Sequence, residues 1–140
     1  MPRAAAGRLR ARIGRRGTFL LVIGIGKVCW GSGFVVEPQS APQGLGLLTG
    51  AAPLHCWGWL WVTAGLATAG SAFLRVGRDR FGFAAALIPP ATWAIAYTVA
   101  VLIGDYPRGG YVALWYLTSH VGVILWASGV PEHSLPEGRT

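Results

Sequence analysis

Between Phe81 and Ile103 the chain runs for 23 residues with no ionisable side chain except that of Tyr97. A helix of that length reaches about 34 Å at 1.5 Å per residue, enough to cross a hydrocarbon core of about 30 Å with some tilt. The run begins behind a basic turn, Arg75, Arg78 and Arg80, and stops at Gly104-Asp105. It reads as a transmembrane helix, and the rest of the chain must be arranged around it.

The composition agrees: of 140 residues, 53% are hydrophobic and only 12% charged. That is a membrane composition. A net charge of +7 would suggest nucleic acid if it lay on one face, but nine of the twelve basic residues fall in two short segments, 3–16 and 75–80, each beside an apolar run. Such clustering marks membrane topology rather than nucleic-acid binding. Cys29 and Cys56 are too few and too irregularly spaced for a disulfide framework, a zinc site or a C-x-x-C pair, and read as two small buried apolar residues. No metal or cofactor is expected.

Residues 1–17 carry six Arg, Arg15 and Arg16 among them, and no acid, and read as a basic cytoplasmic anchor. Two alternatives are weaker: a nucleic-acid arm would want interleaved aromatics, and a twin-arginine signal would need an unbroken apolar core and a cleavage site. The first span, 18–36, has Lys27 at its centre and four glycines, Gly24, Gly26, Gly31 and Gly33. A mid-bilayer Lys costs on the order of 3 kcal/mol, which Leu20, Leu21, Val22 and Ile23 can offset. Lys27 is expected to snorkel toward an interface or a wet crevice, since no acid lies in any span to pair with it. The glycines allow a neighbouring helix to come close.

Residues 37–53 form an outer loop whose apolar part suits the membrane interface. In the second span, 54–74, Trp57, Trp59 and Trp61 mark the outer boundary, and Gly65 with Ala69, and Ala64 with Thr68, make small-residue packing pairs. The third span, 81–103, carries Pro89 and Pro90, which predict a kink, either fixed or a gating hinge, with Thr92 or a neighbouring helix serving the freed carbonyls. Tyr106 and Tyr111 flank a tight outer turn, and the fourth span, 111–130, has Thr118, Ser119 and His120 at its middle. Residues 131–140 form a short polar tail.

The expected fold is thus an all-α integral membrane protein, a four-transmembrane-helix bundle in one domain, with a basic N-tail and a polar C-tail. Arg15, Arg16, Arg75, Arg78 and Arg80 outweigh the single Arg108 of the outer loops, so both termini are expected on the cytoplasmic side of the inner membrane. Lys27, Ser119 and His120 are the candidate intramembrane polar sites. No catalytic residue is expected, because Ser119 and His120 are adjacent on a helix and their side chains diverge by about 100°.

The order Arg78-Asp79-Arg80-Phe81-Gly82-Phe83, then Pro89-Pro90, Trp93 and Tyr97, resembles small four-span membrane proteins of actinobacteria and their temperate phages. The resemblance covers the second half of the chain. It implies that Phe81-Gly82 starts the third helix and Pro89-Pro90 breaks it, and that a holin-type role is reasonable; it transfers no catalytic residue. The expected function is therefore non-enzymatic self-association in the membrane, with a phage-type holin as its concrete form. The alternatives are a small transporter or channel subunit, with another membrane subunit as partner, and an accessory membrane protein.

Overall fold

The computed structural model describes residues 2–37 and 42–131, with side chains from residue 13 onward. Residues 38–41 of the first loop, the tail 132–140 with Glu132, Glu137 and Arg139, and the side chains of Arg3, Arg8, Arg10 and Arg12 lie outside the described residues. All regular structure among the described residues is helical: α1 (Pro2–Val36), α2 (Gly46–Ala51), α3 (Leu54–Ser71), α4 (Arg80–Leu102), α5 (Gly109–Tyr116) and α6 (Val123–Gly129), with a π-helical segment, Leu117–Gly122, joining the last two. Among the described residues three stretches are long and apolar enough to cross a membrane: Ile13–Val36, Arg80–Leu102 and Gly109–Gly129. Helix α3 has 18 residues but is less apolar, being diluted by His55, three Trp and three Gly.

The basic segment is helical, and it is set off from the apolar part of α1 by Gly14 (φ 68°, ψ −171°), a left-handed conformation that suits glycine. From there α1 and α3 run antiparallel in a glycine register that repeats every seven residues. A Cβ on Gly17 would lie 2.6 Å from Ala72 O, one on Gly24 2.7 Å from Gly65 O and one on Gly31 2.6 Å from Gly58 O. In return, a Cβ on Gly65 would meet Gly24 O at 2.7 Å, and Ala69 also abuts Gly24. The two backbones therefore touch at three levels, which only residues without a side chain allow.

The same heptad spacing on α1 turns Leu20, Lys27 and Phe34 inward. Leu20 is fully buried in a cluster with Ala72, Phe83, Ala86, Ile124 and Ala127 at one end of the bundle. Phe34 packs against the cluster of Leu45, Leu48, Trp61, Trp93 and Tyr116 at the other. Lys27 lies between the two clusters and is 3% exposed. Of the two places expected for it, an interface or a crevice between helices, Lys27 occupies the second: it stands in the core-facing register of α1 and lines a crevice.

Several expectations are corrected by this packing. Trp57 and Trp61, i and i+4 on one face, turn inward onto Trp93 at ring-centroid distances of 6.3 and 5.3 Å, and only Trp59 faces outward. Both cysteines are exposed, since Cys29 and Cys56 lie on the sides of α1 and α3 turned away from the glycine contacts. Helix α4 is not broken at Pro89-Pro90 but continues from Arg80 to Leu102, with both prolines buried. The Thr92 hydroxyl donates to Ile88 O at 2.8 Å rather than to Ala85 O or Ala86 O, the two carbonyls that the prolines free.

Each end of the bundle is fastened. At one end the loop before α2 folds back: Gly44 (φ 79°) presses on Tyr97 and Tyr106, Leu45 and Leu48 are buried, and Trp57 Nε1 donates to Leu48 O at 2.8 Å. At the other end Arg16 donates from Nε to Asp79 Oδ2 at 2.6 Å and from Nη1 to Ser128 O and Val130 O at 2.6 and 3.0 Å. Its guanidinium also lies 4.9 Å from the Phe83 ring centroid. One side chain thus joins the start of the apolar part of α1, the α3–α4 turn and the C-terminal end of α6.

Candidate functional site

Lys27 and His120, which lie 93 positions apart in the chain, meet at one crevice of about 360 Å³. Helix α1 contributes Val22, Ile23, Gly26, Lys27 and Trp30, and α3 contributes Trp61. The far wall comes from the last helix, with Trp115 and Tyr116 from α5 and His120 from the π-helical segment. The crevice exists because α1 and the last helix touch only near Arg16 and the Leu20–Ile124–Ala127 cluster and spread apart above it.

Lys27 Nζ lies 4.8 Å from the Trp61 ring centroid, a cation–π contact, and has no hydrogen-bond partner although it is buried. Trp61 Nε1 is likewise buried without a partner. Both orphaned groups are donors, and both belong to residues lining the crevice. Leaving such groups unmet costs on the order of 1–3 kcal/mol each, more for a charged one.

The π-helical segment explains the far wall. Its wider turn stacks residues five apart, so the Trp115 and His120 rings come to 4.8 Å between centroids, with Tyr116 at 5.2 Å from His120. It also brings together two groups that ideal α-helical geometry separates: Ser119 Oγ is 3.2 Å from His120 Nδ1. The expectation of diverging side chains is thus corrected. With the Ser119 hydroxyl donating to Trp115 O, its oxygen is free to accept from His120 in the Nδ1–H tautomer, the reverse of a nucleophile–base pair. The neutral ring then carries its lone pair on Nε2.

Ser119 itself is exposed, outside the crevice. Sequence reasoning picked out Lys27 and His120 singly and missed the aromatic walls. The available signal was the inward heptad Leu20, Lys27, Phe34 on α1 and the i, i+4 pair Trp57, Trp61 on α3. A second crevice, between α4 and the last helix, is lined by apolar groups and Thr98, whose hydroxyl already donates to Ala94 O at 2.7 Å. No cluster of three His, Cys, Asp or Glu side chains suited to a metal occurs among the described residues. Compared with family models, with curated proteins and with solved structures, the chain matches none.

Proposed function

We propose that this is an integral protein of the inner membrane, four-span with both termini cytoplasmic, that holds a small membrane-dissolved molecule in the crevice between α1 and the last helix. The observation that carries the reading is the Lys27 ammonium, buried and without a hydrogen-bond partner at the edge of a cavity large enough for a ligand. Val22, Trp30 and Trp115 at the crevice are exposed apolar side chains, a surface that acyl chains would cover in the proposed setting, so a molecule dissolved in the bilayer could enter without crossing water. The small-transporter alternative shares this site and would add a second opening.

The fourth crossing is supported by the α1–α3 register: an 18-residue helix, about 27 Å long, lies antiparallel to a helix apolar enough to span. The test is to isolate the protein in lipid nanodiscs and weigh its organic extract by mass spectrometry. One apolar small molecule per chain, lost in Lys27→Leu, is the expected result. An extract identical for the two proteins and holding only bulk lipid would sink the reading.

Self-association of the holin type retains one support. Of the small residues expected to pack, Gly24, Gly31, Gly65 and Ala69 are occupied by each other within one chain, but a Cβ on Gly26 or Gly33 would meet nothing within 4 Å. Exposed Cys29 lies on the same side of α1 and is a built-in probe. Oxidative cross-linking of membranes through Cys29, abolished by Gly33→Leu, would favour the self-associating form. A monomer under those conditions would count against it.

A further inference from the structure

Resting on that ligand-holding reading, we propose that the crevice takes a flat oxygenated six-membered ring carried on an apolar tail, the quinone and quinol class of membrane-dissolved molecule. The unmet groups set the first requirement. Lys27 Nζ and Trp61 Nε1 are buried donors without partners, so what is missing is an acceptor oxygen. Lys27 is 3% exposed, so its ammonium is held from bulk water with only the Trp61 ring face beside it, and an acceptor in the crevice would supply the missing hydrogen bond.

The walls set the second. Trp30, Trp61, Trp115, Tyr116 and His120 surround the space with rings, and a flat ligand gains stacking contact that a phosphate or glycerol headgroup does not. Depth acts in the same direction. Lys27 stands 9 residues from Val36 at the end of its helix, about 13 Å, far below headgroup level. A ligand that reaches it must be at home among acyl chains.

His120 sets the third. In the tautomer whose Nδ1–H donates to Ser119 Oγ, Nε2 is an acceptor. The crevice therefore offers a donor on α1 and an acceptor on the opposite wall. A ring with oxygens at both ends meets both: either form of the ring accepts from Lys27, and the hydroxyl of the reduced form donates to His120. A fatty-acid carboxylate would use Lys27 alone. The volume of about 360 Å³ is at the small end of ligand pockets, roughly 300–1,000 Å³, and suits one ring with the tail left in lipid.

The test is tryptophan fluorescence of the full chain in phosphatidylcholine nanodiscs, titrated in turn with a short-tailed benzoquinone, its quinol, oleate and decane. The expected result is saturable quenching by the quinone at one per chain. Its apparent Kd should rise at least tenfold in Lys27→Leu and severalfold in Trp115→Leu, a wall substitution outside the buried core, while His120→Phe weakens the quinol more than the quinone. Saturation by oleate with none by quinone would overturn the ring assignment and leave a ligand site. Quenching that rises linearly for every probe, alike in wild type and Lys27→Leu, would overturn both this inference and the reading beneath it.

Discussion

Arg16 shows how much one side chain can fix. It reaches a carboxylate on the α3–α4 turn and two carbonyls at the end of α6, with the Arg16 and Asp79 side chains only 13% and 5% exposed. Burial raises the Asp79 carboxyl's pKa, but the Arg16 hydrogen bond, the Gly77 N–H at 3.0 Å and the Arg16 charge outweigh it and hold the carboxyl below its ordinary value. A group depressed in the folded state stabilises fully above its unfolded pKa, near 3.9, and ceases to do so as the pH falls through the folded value. The thermal midpoint in detergent is therefore expected to drop below about pH 4 in wild type and to lose that acid limb in Asp79→Asn. At pH 7, Asp79→Asn should cost about 3 kcal/mol, as expected for breaking a largely buried pair. Arg16→Lys keeps the charge but lacks the planar fork, so it should recover less than half of the Arg16→Ala loss. A Lys variant as stable as wild type would reduce the contact to simple charge balance. In the sequence Arg16 looked like one more topology-setting cation, because its partners lie 63 and more than 110 positions away and no local pattern announces them.

At the scale of the helices, the α1–α3 seam decides the bundle, and it offers an internal control. A Cβ on Gly24 or Gly31 would fall 2.6–2.8 Å from backbone atoms of α3, which cannot rotate away. Gly24→Val and Gly31→Val should each cost about 1–3 kcal/mol of stability through overpacking. Gly26→Ala and Gly33→Ala face open space and should stay within about 0.5 kcal/mol of wild type. Equal losses at the four positions, measured by thermal unfolding in one detergent, would show that helix propensity and not the seam is responsible. This contrast also marks the limit of the sequence. Two of the long apolar helices were legible almost to the residue, 81–103 against Arg80–Leu102 and 111–130 against Gly109–Gly129, because a long uncharged run has few ways to fold. The burial of Trp61 was not, since a Trp at the head of a span suits a headgroup as well as a core. The π-helical segment was not legible either, because Leu117–Gly122 contains nothing that ordinary helical hydrogen bonding would refuse.

For the whole molecule the open matter is how many times the chain crosses, and the contacts constrain the answer more tightly than hydropathy does. Helix α3 falls short as an isolated span, which leaves three crossings as an arithmetic alternative. Yet α3 is matched to α1 from Gly17–Ala72 to Gly31–Gly58, a seam of about 21 Å at 1.5 Å per residue. Arg16 joins the beginning of the apolar part of α1 to the end of the last helix, which an odd number of crossings would put on opposite sides. If α1 crosses with its packing intact, α3 crosses beside it and the count is four. On the proposed four-span reading, charge would set the orientation, since Arg75, Arg78 and Arg80 share the Arg16 end, while the opposite loops carry Arg108 alone among the basic residues of the sequence. Reporter fusions after Gly50 and Gly109 are expected to read outside the cytoplasm, and fusions after Arg80 and Thr140 inside it. A cytoplasmic reading after Gly50 alone would mean that the Lys27 helix fails to cross and that the α1–α3 seam does not survive in the membrane. Reversal of all four readings would keep the bundle and overturn only its orientation.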